Sequence, residues 1–165
     1  MKRMIKVALC TMMVLSFVGC GKTNKEQNNS KVSGEKTEVA NPITACESME
    51  EAEKLAGFDI TVTDSIEGYD SREVQVINKE LIEVIYSKGD EEVRIRKAAG
   101  SEDISGDYTN YSENNVVAVG ELQVTMKGND GQIDSATWTN GDYTYSISTN
   151  GMSVDAVTEL ILSIQ

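Results

Sequence analysis

The sequence predicts an α+β fold, a single antiparallel β-sheet of about six or seven strands with an N-terminal and a C-terminal helix packed on one face. Three observations lead there. Apolar residues alternate at period two through the middle of the chain, the pattern of half-buried strands. Two capped amphipathic stretches bracket that region, and each needs a partner surface for its apolar stripe. Short Gly, Asn and Asp turn signals separate the apolar runs, which favours hairpins and an antiparallel sheet.

The chain of 165 residues opens with a basic segment, Met1 to Lys6, followed by an apolar run from Val7 to Val18. That run is short of the roughly twenty residues a spanning helix needs and fits the apolar region of a signal peptide. It ends in Phe17-Val18-Gly19-Cys20, which resembles a lipobox. Gly19 and Cys20 match the pattern, while Phe17 stands where Leu is usual. The small residue lets the peptide bond reach the peptidase, and the thiol takes the diacylglycerol. Residues 1–19 are therefore expected to be cleaved at the Gly19-Cys20 bond, with Cys20 lipidated. Two or more acyl chains, at about 0.8 kcal/mol per buried methylene, give durable attachment to a membrane.

Residues 20–42 read as the lipidated cysteine and a polar tether. Between Gly21 and Asn41 only Val32, Val39 and Ala40 are apolar, too few to offset ordering entropy. Pro42 restrains Asn41 to extended geometry and marks the start of a domain over residues 43–165. A helix follows, with Ser48 as N-cap, Glu51 completing a capping box, an apolar stripe of Met49, Ala52, Leu55 and Ala56, and Gly57 as C-cap. Cys46 just before it reads as a small buried residue rather than a reactive thiol.

The strands expected next are Ile60 with Val62, Val74 with Val76, Ile82 to Tyr86, and Val93 with Ile95. Lys88-Gly89-Asp90 turns the last two into a hairpin centred on either Lys88-Gly89 or Gly89-Asp90, which opposes Val84 to Val93 or to Ile95 and sets Glu83 opposite Arg94 or Arg96 on the other face. A long strand runs from Val116 to Met126 and turns through Gly128-Asn129-Asp130-Gly131. Asn140-Gly141 is the preferred centre of a type I′ turn, pairing Trp138 with Tyr143 and Ala136 with Tyr145 on an aromatic face. Thr137 then meets Thr144 and Ser135 meets Ser146 on a hydroxyl face expected in solvent. A second helix starts at the Ser153 N-cap and carries Val154, Val157, Leu160, Ile161 and Ile164 as its stripe.

The net charge is −12, and losing Lys2, Arg3 and Lys6 with the leader takes the mature chain to −15. From Ile43 onward 8 basic and 24 acidic residues leave −16 on the domain. Such a surface repels phosphate backbones and anionic headgroups, so nucleic-acid binding is excluded and membrane contact is left to the lipid anchor on Cys20. The chain has no histidine, which removes the usual general base and zinc ligand. No Gly-x-Ser-x-Gly elbow or phosphate-cradling loop occurs, and no cofactor or metal is expected. Glu102, Asp103, Asp107, Asn110, Glu113 and Asn114 offer oxygen donors on a long loop but not at EF-hand spacing; Asn129, Asp130 and Asp134 are turn residues.

Trp138, Tyr143 and Tyr145 fall on the face the helices cover, which leaves Tyr108 and Tyr111, with Asp103 and Asp107, as a candidate partner-binding loop. The order Asn41-Pro42, Cys46, Glu50-Glu51-Ala52, Gly57-Phe58, Gly68-Tyr69, Asp103-Ile104-Ser105-Gly106-Asp107-Tyr108, then Trp138, Tyr143 and a closing helix resembles an uncharacterised domain of lipoproteins and other surface proteins in clostridia-like Gram-positive bacteria. The resemblance spans about Asn41 to Gln165. It implies location and architecture and carries over no catalytic residue.

The expected function is a lipid-anchored protein at the outer face of the cytoplasmic membrane, with a non-catalytic binding or sensing domain for a protein, peptide or cell-wall ligand. The alternatives are a cell-wall-active hydrolase or accessory subunit using acidic loop residues, and a structural helper of an envelope complex.

Overall fold

The computed structural model describes residues 41–165. The leader, the Gly19-Cys20 cleavage and lipidation site and nearly all of the tether lie outside the described residues. The elements are β1 (Ile43–Cys46), α1 (Met49–Ala56), β2 (Ser71–Ile77), β3 (Leu81–Lys88), β4 (Glu91–Ala99), β5 (Glu113–Val119), β6 (Leu122–Asn129), β7 (Gln132–Asn140), β8 (Tyr143–Ser153) and α2 (Val154–Ser163). They form one antiparallel sheet of eight strands in the order β1-β2-β3-β4-β8-β7-β6-β5, with two helices. Two four-stranded meanders thus join through β4 and β8, and β1 and β5 are left as the edges.

Alternation sets the core. Val84, Ile95, Ile147 and Ala136 stand side by side across β3, β4, β8 and β7, and all four are 0 % exposed. Ala52 of α1 and Val157, Leu160 and Ile161 of α2 join the cluster that this face builds. The Ser48 Oγ accepts from Glu51 N, and Gly57 closes α1 with φ 83°. Glu51 reaches back to Glu47 N rather than to the cap residue itself. In α2, Ser153 Oγ accepts from Ala156 N as the cap chemistry requires.

Four expectations are corrected. Ile60 and Val62 are not a strand: Ile60 is buried in the core, but its N–H donates to Glu53 Oε1 and Thr61 pairs with Gln165 through two backbone bonds. Their alternation reflects packing under the helices, not a sheet ladder. The strand at this end is β1, whose four residues, Ile43 to Cys46, are too few to carry an alternation signal; Cys46 lies on it, half-buried, opposite Val74.

The long strand from Val116 to Met126 is two strands, because Gly120-Glu121 closes a hairpin in which Val119 pairs with Leu122. The final hairpin shifts by two residues for the same reason. Gly141-Asp142, not Asn140-Gly141, is the turn centre; only Gly141 has positive φ, as a type II′ turn needs. Trp138 therefore faces Tyr145, Ala136 faces Ile147, Thr137 faces Ser146 and Ser135 faces Ser148. A two-residue shift keeps every side chain on its face. The β3-β4 turn resolves onto Gly89-Asp90, placing Val84 opposite Ile95 and Glu83 opposite Arg96.

The hydroxyl face is the fourth correction. Thr144, Ser146 and Ser135 are 3 %, 0 % and 1 % exposed. The connection from β4 in mid-sheet to β5 at the edge must pass β8, β7 and β6, and residues 100–112 do so as a strap on this side.

Candidate functional site

The strap begins at Gly100, whose N–H donates to Asp142 O, and is folded by its own short polar side chains. Asp103 Oδ1 accepts from Ser105 N at 2.9 Å, Ser105 Oγ from Asp107 N at 3.2 Å, and Asp107 Oδ1 from Thr109 N at 2.9 Å. Each is a side-chain oxygen capping the amide two residues on, the local turn that Asp and Ser favour. Tyr111 Oη donates to Asp107 Oδ2 at 2.6 Å. Ser112 ties the end of the strap to Asn129 Oδ1 through both its N–H and its hydroxyl, and Glu113 accepts from Gly131 N.

The sheet holds the strap from below with charge. Glu83, 1 % exposed, accepts from Arg96 Nε at 2.6 Å and from Gln75 Nε2, with Arg94 Nη1 at 3.5 Å. Arg96 Nη1 continues upward to the carbonyl oxygens of Ile104 and Ser105. Gly106 lies directly over it: a Cβ there would stand 3.0 Å from Arg96 Nη1. Lys127 Nζ, 3.8 Å from Asp103 Oδ2, adds a looser tie from β6. A carboxylate buried at this depth is tolerated because the two guanidinium groups and the amide satisfy it.

The four candidate loop residues therefore separate into two kinds. Asp103, Asp107 and Tyr111 are committed to the strap itself. Tyr108 is 95 % exposed and makes no side-chain hydrogen bond among the described residues. Burial acts to raise the Asp103 and Asp107 carboxyls, but hydrogen bonds from Ser105 to the first, and from Tyr111 and Thr109 to the second, outweigh it with help from Lys127. Both are held below the ordinary carboxyl range. Tyr111 is pushed up to about 12 by burial and by its bond to Asp107. Glu113 and Asn129, two of the oxygen donors considered for a cation, are bonded to Gly131 and Ser112. Among the described residues no group of three or more Cys, Asp or Glu side chains is placed to hold a metal ion.

Sequence reasoning missed Arg96 as the anchor of the loop. Its signal was a charged residue in a strand register facing Glu83, itself flanked by the apolar Ile82 and Val84. Lys97 was also missed. It is 7 % exposed on the core side, where its Nζ donates to Asp59 O at 2.6 Å and lies 4.6 Å from the Tyr143 ring centre and 5.2 Å from that of Tyr145. Burial, then the nearby Glu51, pushes the Cys46 thiol up, away from a nucleophilic thiolate.

Several surface concavities open among the described residues, including one of about 400 Å³ between β1 and β2 lined by Glu47, Arg72 and Glu73. A cleft of about 520 Å³ opens beside the β2-β3 turn between Phe58, Leu81, Ala98 and Ile104. A groove of about 390 Å³ runs between α2 and residues 63–67. Comparison with protein-family models, with curated proteins and with solved structures found no match to this chain.

Proposed function

We propose that the chain is a lipoprotein anchored through Cys20 at the outer face of the cytoplasmic membrane, and that its domain binds a protein, peptide or cell-wall ligand through the strap without catalysing a reaction. The anchor rests on the leader and the Gly19-Cys20 pattern. The binding reading rests on Tyr108: a large aromatic ring at 95 % exposure on a loop whose neighbouring side chains are bonded inward. A fixed loop presents such a ring at low entropic cost on binding, and exposed tyrosines are favoured contact residues. The lowered carboxyls of Asp103 and Asp107 do not suit the general-acid role of the hydrolase alternative, since that role needs a raised pKa to hold a proton near neutrality.

Two measurements test this. Acyl label is expected on the wild-type protein and not on Cys20→Ala; label retained by the variant removes the anchor. A photo-crosslinking residue at position 108 in intact cells is expected to give a discrete adduct that the same residue at position 121 does not. Identical adducts from both positions would remove the strap as a contact surface.

A further inference from the structure

The groove beside α2 lies with the helices, whereas Tyr108 belongs to the strap on the other side of the sheet. Its helix wall is a stripe: Ala156, Glu159, Leu160 and Ser163 recur at the spacing that puts residues on one helix face. Ile66 and Met152 supply further apolar surface, and methionine adapts its shape to different occupants. At about 390 Å³ the groove falls within the size range of ligand sites.

Its charge is one-sided. Glu67 and Glu159 are the charged residues lining it; both are exposed, and neither has an ion-pair partner among the described residues. No lysine or arginine lines the groove. By contrast the 520 Å³ cleft is lined by both Lys79 and Glu80, which balance in sign and select no ligand charge.

We infer that the groove between α2 and residues 63–67 is a binding site for a cationic peptide segment in which Lys or Arg alternates with apolar residues. The apolar side chains lie against Ile66, Met152 and Leu160, and the cationic groups meet Glu67 and Glu159. An anionic segment is repelled by both carboxylates and by the −16 charge of the domain.

The test uses the purified full-length protein and three fluorescent peptides of equal length, at physiological salt so that diffuse attraction is screened. One alternates Lys and Leu, one Lys and Ser, and one Glu and Leu. The Lys-Leu peptide is expected to bind and the other two are not. Glu67→Gln with Glu159→Gln weakens it about tenfold, the loss expected for two surface ion pairs. Glu121→Gln with Asp142→Asn, which removes the same charge outside the groove, leaves affinity within about twofold. Equal weakening by both double variants would reduce the attraction to net charge and overturn the site, as would a Lys-Ser peptide binding as tightly as Lys-Leu. Tyr108→Ala leaves the affinity unchanged if the groove is the site; loss of binding in that variant assigns the peptide to the strap and removes the groove.

Discussion

Arg96 stands between Glu83 and the strap: its Nε donates to Glu83 Oε1 at 2.6 Å, and its Nη1 donates to the carbonyl oxygens of Ile104 and Ser105. One side chain thus neutralises a buried carboxylate and fastens the loop that carries Tyr108. Arg96→Met leaves Glu83 with Arg94 at 3.5 Å and Gln75. The expected cost is about 3 kcal/mol, toward the lower end for breaking a buried pair. Urea unfolding measures it. Adding Glu83→Leu to Arg96→Met is expected to recover part of the loss, since the uncompensated charge is gone; a further fall in stability would show that the strap contacts, not the ion pair, dominate.

The position of this clamp was half legible in the sequence. Alternation put Glu83 opposite Arg94 or Arg96 on the face away from the core, because face assignment survives a two-residue slip. The choice between them depended on which residues centre a tight turn, and there Gly89-Asp90 prevailed. The same Gly-acid turn at Gly120-Glu121 and Gly141-Asp142 split one expected strand and displaced another register. The helix ends were legible because Ser48, Gly57 and Ser153 are local signals with local consequences, although Val154 of the expected α2 stripe is exposed and Ile164 lies beyond the helix. What stayed hidden was non-local. A loop crossing from mid-sheet to an edge covers a face that composition marks as polar, and β1 is set in the sheet by its pairing with β2, a contact between residues distant in sequence. In the candidate loop, Asp103 and Asp107 stood among the oxygen donors, while the geometry makes them, with Ser105 between them, turn caps.

Gly106 offers a second test of the clamp. Its φ of 66° lies in the left-handed region, and a Cβ would approach Arg96 Nη1 to 3.0 Å. Gly106→Ala is expected to cost about 1–3 kcal/mol from backbone strain together with the tight contact. Gly131→Ala shares a positive φ of 74° with nothing within 4 Å, so it should cost about 1 kcal/mol, the backbone penalty alone. Thermal unfolding of both variants compares them directly. Equal losses would mean that Arg96 yields to the added methyl.

Acid should loosen the strap. The Asp103 and Asp107 carboxyls lie below their ordinary values in the folded protein. Their contribution to stability is therefore full above the unfolded carboxyl pKa of about 3.9 and disappears as pH falls through the depressed folded values. Asp103→Asn with Asp107→Asn is expected to be less stable than wild type at neutral pH, with the gap closing as pH drops below about 3.9. A gap that grew in acid would contradict the sign of both shifts. At the other end of the scale Tyr111 should ionise only near about 12, so an ultraviolet titration of Tyr111→Phe should lack the last tyrosine step of the wild type.

Lys97 is a charged residue that the core does not expel. Its register partners are Ile82 and Tyr145, and its ammonium sits among aromatic rings 4.6 to 6.0 Å away while donating to Asp59 O. The rings of Phe58 and Tyr143 themselves meet at 5.3 Å, and Trp138 stacks on Tyr145 at the same separation. Lys97 therefore pins the irregular segment after α1 to the central strands through one hydrogen bond and a set of cation-ring attractions. Lys97→Ala loses these and leaves a void, an expected cost of about 3 kcal/mol. Lys97→Met keeps most of the volume and removes only the charge and the donor, so it should cost about 1–2 kcal/mol, the combined worth of a hydrogen bond to a charged donor and a desolvated cation-ring contact. Trp138 fluorescence reports both unfolding transitions. If Met proves as stable as Lys, packing alone accounts for the residue; if Met falls as far as Ala, the charge holds the segment in place.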